Sequence, residues 1–178
     1  MNRLKRVGDR FKFVMRKIDG TEFMGQILDI PDTSRVTNFL SARRYLRTNV
    51  DTIVQARDVI IAGGTTYIVA EHGTGFYKEP IYKHFKLFEV DSAEMWYPLR
   101  EYEHPITGLK ESRRDKPEGL VYLSTQPTNN VQDSINIPNE MKIMICNANI
   151  QLGDKVGNYL ATKSDLEIGI NLLTMKEL

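Results

Sequence analysis

The stretch RDVIIAGGTTYIVAE, residues 57–71, decides the fold class of this chain. Two runs rich in β-branched residues flank Gly63-Gly64, a pair that readily adopts the backbone angles of a two-residue hairpin turn. A second hairpin is predicted upstream, where residues 10–18 alternate apolar and basic side chains and lead into Asp19-Gly20. Residues 22–30 provide its return strand. These patterns predict a β-sheet protein.

A further strand, predicted over residues 83–90, brings the first 90 residues to about five short strands, the spacing of a small β-barrel. Residues 101–119 hold nine charged residues, two Pro and two Gly, so we expect a polar linker or exposed excursion over 91–119. Strand patterns resume after it. The predicted architecture is mainly β: a barrel in 1–90, the linker, and a second β-rich region in 120–178.

Residues 31–50, PDTSRVTNFLSARRYLRTNV, form a long connection within the predicted barrel, and long connections tend to be functional or flexible. Val36, Phe39 and Leu40 lie at helical spacing, so a short helix is expected inside a protruding loop. From residue 33 to residue 50 there is no acidic residue. The same span contains four arginines: Arg35, Arg43, Arg44 and Arg47.

The overall charge balance hides an asymmetry. The chain has 178 residues, with 24 Lys and Arg against 23 Asp and Glu. Residues 1–50 carry eleven basic and five acidic residues, a balance of +6, and the remaining residues carry 13 and 18, a balance of −5. Such asymmetry indicates a polyanionic partner, a surface that docks on a complementary neighbour, or simply a solvated basic face.

Composition excludes several classes of protein. The single cysteine, Cys146, rules out an internal disulfide and a multi-cysteine zinc site, and its apolar neighbours predict a buried small hydrophobe. No stretch approaches the roughly 18–20 apolar residues of a membrane span, and the basic N-terminus lacks the apolar core of a signal peptide. We therefore expect a soluble protein of a reducing compartment, with no membrane contact.

The search for catalytic or cofactor-binding residues finds no candidate. His72, His84 and His104 stand 12 and 20 residues apart, without the spacing that metal sites favour. Gly63-Gly64 and the HGTG stretch at 72–75 lack the spacing of a phosphate-binding loop and are better explained as turns. We expect no cofactor, no metal and no enzymatic activity.

An aromatic stretch provides an alternative binding site. Residues 76–97 contain seven of the aromatic residues, and Lys78, Lys83 and Lys86 lie among the first five of them. Aromatic rings beside cations hold single-stranded nucleic acid in small β-barrels. The competing interpretation places Phe85 and Phe88 in the core and leaves the others to loop or interface packing.

A faint internal similarity links the two ends of the chain. VGDRFKFVMRKIDGTEF, residues 7–23, and LGDKVGNYLATKSDLEI, residues 152–168, share a Gly-Asp-basic opening, a strand-length run and a turn centred on Asp. If the similarity is real, the chain contains two related β modules; a chance match is the alternative.

Three features of the first 90 residues resemble the head–tail connector proteins of tailed bacteriophages, the adaptor, stopper and tail-completion group. They are the opening LKRVGDRFKFV with its Asp-Gly turn, the long polar loop, and RDVIIAGGTTYIVAEHG, which looks like the family's closing hairpin. No such pattern occurs in residues 91–178.

The resemblance implies a structural virion protein, assembled in the host bacterial cytoplasm. It implies a homo-oligomeric ring at the head–tail junction, or neck, that contacts portal or adaptor and tail proteins and helps to seal or extend the DNA channel. The loop arginines Arg35, Arg43, Arg44 and Arg47 would then meet DNA phosphates without reading the sequence. Two other hypotheses stay open: a small nucleic-acid-binding β-barrel that uses the basic N-terminal region and residues 76–88, and an enzyme on a β scaffold.

Overall fold

The structure is a computed structural model that describes residues 12–29, 44–72, 82–114, 116–125, 141–167 and 169–178. All regular secondary structure in these ranges is β, and no helix occurs in them. It follows that these ranges contain no helix able to cross a membrane. The chain divides into two compact units, Met1–Val90 with Ile168–Ile170 and Asp91–Glu167 with Asn171–Leu178. The prediction of a mainly β protein containing a β-barrel is confirmed.

The first unit is a closed six-stranded barrel. Its strands are β1 (Phe13–Lys17), β2 (Glu22–Asp29), β3 (Arg44–Asn49), β4 (Val59–Ala62), β5 (Thr65–Glu71) and β6 (Tyr82–Glu89). They pair antiparallel in the order β1-β2-β3-β6-β5-β4, and β1 closes the barrel on β4. Closure leaves no unpaired sheet edge among the described strands of this unit, which removes the commonest site of strand-mediated aggregation.

The second unit contains the remaining eight strands. They are β7 (Ser92–Tyr97), β8 (Arg100–Glu103), β9 (Lys110–Arg113), β10 (Gly119–Thr125), β11 (Met141–Cys146), β12 (Lys155–Val156), β13 (Tyr159–Glu167) and β14 (Ile170–Glu177). Six of them close a second barrel in the order β10-β11-β14-β13-β12-β7. The other two, β8 and β9, form a separate two-stranded sheet.

Both barrels have the same connectivity. When the six strands of a barrel are counted in chain order, the first three are successive neighbours. The last three follow in reverse order, so that the fourth strand pairs with the first. β7, β10, β11, β12, β13 and β14 thus correspond to β1 through β6. The β8–β9 hairpin is an insertion between the first and second strands of the second barrel, where the first barrel has the tight Asp19-Gly20 turn.

The same turn precedes the fourth strand of each barrel. In the first unit the Gln55 N–H donates to Oδ2 of Asp58 over 2.9 Å, and the Asp58 N–H donates to the Gln55 carbonyl over 3.2 Å. In the second unit Gln151 and Asp154 form the same two hydrogen bonds at 2.9 and 3.1 Å. Two hydrogen-bonded turns of one construction, at equivalent places, identify the barrels as structural repeats.

The residue before each aspartate has a left-handed backbone. Arg57 has a φ of 73° and Gly153 a φ of 87°. The similarity found in the sequence aligned Gly153-Asp154 with residues 8–9, which lie outside the described residues. The structure instead matches Gly153-Asp154 with Arg57-Asp58, a correspondence that the Gly-to-Arg difference hides in the sequence.

Each barrel encloses its own core. In the first, Leu46, Ile60 and Val69 are fully buried, and in the second Leu123, Cys146 and Leu173 are. The prediction that Cys146 is a buried small hydrophobe is confirmed. Phe85 lies in the first core, as the core interpretation of the aromatic stretch required, and Phe88 is also buried but does not belong to that core cluster.

The short helix predicted within 31–50 is not found in the described residues. Val36, Phe39 and Leu40, on which it was based, lie outside them, but Arg44 and Arg47, expected near its end, lie in β3. That segment pairs with β2 on one side and β6 on the other, so its backbone groups bond to neighbouring strands instead of along a helix.

The segment 91–119, predicted as a polar linker or exposed excursion, holds three strands. β7 belongs to the second barrel, where it pairs with both β10 and β12. β8 and β9 form a hairpin in which all eight strand residues are exposed. The high charge of this hairpin is what hid the strand pattern, because neither of its faces carries the apolar residues of a core.

Candidate nucleic-acid interface

Strands β3 and β6 place a set of basic, imidazole and aromatic side chains on the outer wall of the first barrel. Leu46 of β3 and Phe85 and Leu87 of β6 point into the core, so the alternate residues of both strands point outward. Across the two strands Tyr45 lies opposite Lys86, Arg47 opposite His84, and Asn49 opposite Tyr82. We call these six residues, with Lys12 and His72 that contact them, the β3–β6 face.

Two cations are held against one aromatic ring of this face. The guanidinium carbon of Arg47 lies 4.5 Å from the centroid of the Tyr82 ring, and Nζ of Lys12 lies 5.0 Å from the same centroid. The Lys12 ammonium also donates a hydrogen bond to Oδ1 of Asn49. Cation–π contacts and this hydrogen bond fix both positive charges relative to the barrel.

A cluster of rings lies next to the two cations. The Tyr45 and His72 ring centroids are 4.8 Å apart, and those of His72 and His84 are 6.1 Å apart. Burial lowers the pKa of His84 below its ordinary value of 6.5, and the neighbouring His72 and Arg47 lower it further. A bound anion would act in the opposite direction, because it favours the protonated imidazole.

The charge on the β3–β6 face has one sign. Lys12, Arg47 and Lys86 are cations, His72 and His84 become cations when protonated, and none of the eight residues is acidic. The positions are set by paired strands, so the charges are spaced by the barrel itself. Arg47 and Lys86 are partly exposed, whereas Lys12 is buried. Accessible cations within a face that has no acidic member suit a polyanion such as the phosphate backbone of nucleic acid.

Of the four arginines predicted to act together, the structure describes two, and these two lie on opposite sides of β3. The Arg47 side chain points outward and contacts the Tyr82 ring. Arg44 lies on the inward-facing side of β3, at the start of the strand, where it forms two polar contacts. Its Nε lies 3.0 Å from Oδ1 of Asp29, and its Nη1 donates to the Tyr67 hydroxyl, which is the main cause of its raised pKa. Arg35 and Arg43 lie outside the described residues.

The described aromatic residues of the 76–88 stretch do not form a free stacking platform. Phe85 and Phe88 are buried, and the Tyr82 ring is already in contact with Arg47 and Lys12. Phe76, Tyr77 and Lys78 lie outside the described residues. The three described rings of this stretch are thus either buried or in contact with cations.

Neither histidines nor carboxylates assemble a metal site in the part of the chain that the structure describes. No group of three or more His, Cys, Asp or Glu residues there is placed to hold a metal ion. His104 lies in the turn of the β8–β9 hairpin, where its Nδ1 accepts a hydrogen bond from the Thr107 N–H at 3.3 Å. Gly63 and Gly64 have φ values of 58° and 83° and form the β4–β5 turn, as predicted.

Comparison with known proteins gives no relative. No known protein family matches the chain, and no significant match was found among curated proteins or solved structures.

Sequence reasoning missed the contribution of Lys12, Tyr45 and Tyr82 to one surface. The available signal was the period of two, which places 45, 47 and 49 on one side of β3 and 82, 84 and 86 on one side of β6. The pairing of these two strands is not visible in the sequence, because 32 residues separate their ends.

Proposed function

We propose that this chain is a structural subunit of the head–tail junction of a tailed bacteriophage. Copies of it form a ring, join portal or adaptor proteins to tail proteins, and surround the DNA channel. The β3–β6 face contacts the DNA backbone without reading its sequence. The proposal assigns the chain no catalytic role.

The observation that carries the proposal is that the β3–β6 face holds cations in fixed positions while its aromatic rings are already in contact with cations or other rings. Arg47 and Lys12 are held by Tyr82, and the face has no acidic residue. Binding of single strands by small barrels depends on exposed rings that stack on bases. A face with cations but with its Tyr82 ring occupied favours contact with phosphates, as needed along a channel that DNA passes through.

The repeated barrel also supports the proposal. The hairpin on which the family resemblance rests is β4–β5, which follows Asp58. A hairpin of the same construction, β12–β13, follows Asp154 in the second unit. The place of this hairpin in the barrel is therefore repeated in the second unit, although the sequence pattern of the resemblance occurs only in the first.

Exposed apolar pairs supply candidate contacts between copies. On the outer wall of the first barrel, Val14 of β1 lies opposite Met24 of β2, and both are exposed. On the corresponding strand pair of the second barrel, Met95 of β7 lies opposite Leu120 of β10, and both are exposed. Adjacent apolar side chains at the surface suit contacts with neighbouring subunits.

Self-association and DNA binding test the proposal together. Sedimentation velocity over a range of concentrations, with electron microscopy of the largest species, is expected to show closed rings. Duplex DNA is expected to bind at least as well as single strands at low salt. A variant with Arg47→Ser and Lys86→Ser should lower the slope of log affinity against log salt by about one for each lost phosphate contact.

The matched control is Arg16→Ser, which removes an exposed cation from β1, outside the β3–β6 face. It should leave the salt slope unchanged. A chain that stays monomeric and binds single-stranded oligonucleotides more tightly than duplex would overturn the connector proposal in favour of the small nucleic-acid-binding barrel.

A further inference from the structure

The β8–β9 hairpin of the second unit has a cleft at its base. The cleft has a volume of about 350 Å³, and its walls come from three short segments. Pro98 precedes β8, Arg100 and Tyr102 lie two apart on β8, and Arg113 lies on β9. Residues 116–118, which lead into β10, complete it. This volume lies at the lower end of the range of about 300–1,000 Å³ that small-molecule sites occupy.

Positive charge dominates the lining. Arg100 and Arg113 are direct cross-strand partners, an arrangement of like charges that destabilises a strand pair. Lys116 adds a third cation, whereas Glu118 is the single carboxylate among the lining residues. Glu118 forms an ion pair with Arg100. Arg113 pairs with Glu111, its Nη2 lying 2.6 Å from Oε2 of that residue.

Flat apolar surfaces accompany these cations. The Tyr102 side chain is 58% exposed, and the guanidinium carbon of Arg113 lies 5.8 Å from its ring centroid. The rings of Pro98 and Pro117 supply apolar wall on either side. An anion that also carries a planar ring can use both kinds of surface, through charge-assisted hydrogen bonds to the arginines and through stacking on the tyrosine.

The hairpin itself gives an independent reason to expect a ligand. A two-stranded hairpin with no apolar face is at best marginally stable in water. All eight residues of β8 and β9 are exposed, so no core side chain holds the two strands together. A ligand that bridges Arg100 and Arg113 would relieve their repulsion and stabilise the hairpin at the same time.

We propose that this cleft binds a phosphorylated nucleoside, either a free nucleotide or one unit of a nucleic-acid strand. The base lies against Tyr102 and the two prolines, and the phosphate lies between Arg100, Arg113 and Lys116. The site shares no residue with the β3–β6 face and goes beyond the proposed function, since it does not require ring assembly.

Calorimetric titration of the whole chain with three probes tests this site: adenosine 5′-monophosphate, a ten-nucleotide oligodeoxynucleotide and inorganic phosphate. Binding of the mononucleotide identifies a free nucleotide as sufficient, and binding of the oligonucleotide alone identifies a strand. Arg113→Ser and Tyr102→Ala are each expected to weaken binding by about tenfold. Hydrogen exchange of the hairpin amides, including those of His104 and Gly108, should slow when the probe is bound.

The matched control is Lys110→Ser. Lys110 lies on β9 and forms an exposed ion pair with Glu101, outside the cleft. This variant removes the same charge as Arg113→Ser and should change the affinity less than twofold. The proposal is overturned if neither nucleotide probe binds at millimolar concentration, if inorganic phosphate binds as tightly as the nucleotides, or if Lys110→Ser weakens binding as much as Arg113→Ser. These outcomes do not depend on whether rings form.

Discussion

Trp96 donates its indole N–H to Oδ2 of Asp154 over 2.9 Å, and this hydrogen bond joins the first strand of the second barrel to the turn before its fourth strand. Oδ1 of the same carboxylate accepts the Leu99 N–H at 2.8 Å, and Oδ2 also accepts the Gln151 N–H. In the first barrel, Asp58 is placed equivalently and forms an ion pair of 3.0 Å with Lys17 of β1. The aspartate, which is buried in the second barrel and half-buried in the first, therefore joins the same two elements in each repeat through different partners.

Asp154→Ala should lower the free energy of unfolding of the second unit by roughly 2–5 kcal/mol, because it leaves three N–H donors in or near the core without their acceptor. Trp96 is the single tryptophan of the chain, so its fluorescence during urea unfolding reports on this unit. Asp165→Ala is the control. This variant removes a carboxylate that forms a surface ion pair with Lys163. It should lower the free energy of unfolding by less than about 0.5 kcal/mol. Equal shifts for both variants would contradict the role of Asp154.

Gly25 should tolerate no side chain while Leu46 is present. A Cβ at Gly25 would lie 2.8 Å from Cδ1 of Leu46, which is fully buried. We expect Gly25→Ala to lower the free energy of unfolding by roughly 1–3 kcal/mol because the core becomes overpacked. Leu46→Ala should lower it by roughly 2–5 kcal/mol because of the cavity it leaves. The double variant should cost about 1 kcal/mol less than the sum, because each change relieves the other. Urea unfolding followed by circular dichroism measures all three, and strict additivity would exclude the contact.

His84 should titrate below the ordinary imidazole pKa of 6.5. Burial and nearby positive charge lower its pKa in the folded state, so the unfolded chain binds more protons as the pH falls from 6.5 towards the folded-state pKa. The free energy of unfolding should therefore be greatest above that window and decrease within it. In His84→Gln this dependence should be weaker. Thermal unfolding at several pH values measures it.

Arg47 should contribute to the low pKa of His84. An NMR titration of the imidazole signals is expected to give a higher pKa for His84 in Arg47→Gln than in the unmodified chain, because a neighbouring positive charge is removed. Arg16→Gln removes a charge from the outer wall of β1 and should leave this pKa unchanged. If Arg47→Gln has no effect on the titration, the cross-strand placement of Arg47 beside His84 is wrong.

Gly153 should be sensitive to substitution although its repeat counterpart is Arg57. Its φ of 87° is a left-handed conformation, and a Cβ there would lie 2.7 Å from Cδ2 of Leu99. Gly153→Ala should cost roughly 1–3 kcal/mol through strain and crowding. Leu152→Ala, at an exposed neighbour, should be close to neutral. Trp96 fluorescence serves both measurements, and a neutral Gly153→Ala would contradict the geometry of this turn.

The sequence by itself determined the β class, two hairpins and their glycine turns. These features depend on residues close together in the chain: alternation within a strand, β-branched runs, and Asp-Gly or Gly-Gly pairs at the turn. The burial of Cys146 and the absence of an internal disulfide also followed from local composition. The helix expected within 31–50 was predicted from the spacing of three apolar residues. That prediction also placed the arginines of β3 near the end of a helix instead of in a strand.

Tertiary structure alone decided which residues meet. The period of two separates Arg44 from Arg47 only once β3 is known to be a strand. Lys12 reaches Asn49 across 37 positions of sequence because β2 pairs with both β1 and β3. Strand pairing is a long-range choice, set by which apolar faces fill one core together. The repeat of the two barrels is likewise visible only in the tertiary structure. The turn from Gln to Asp has the same hydrogen bonds in both barrels, although only two of its four residues are identical.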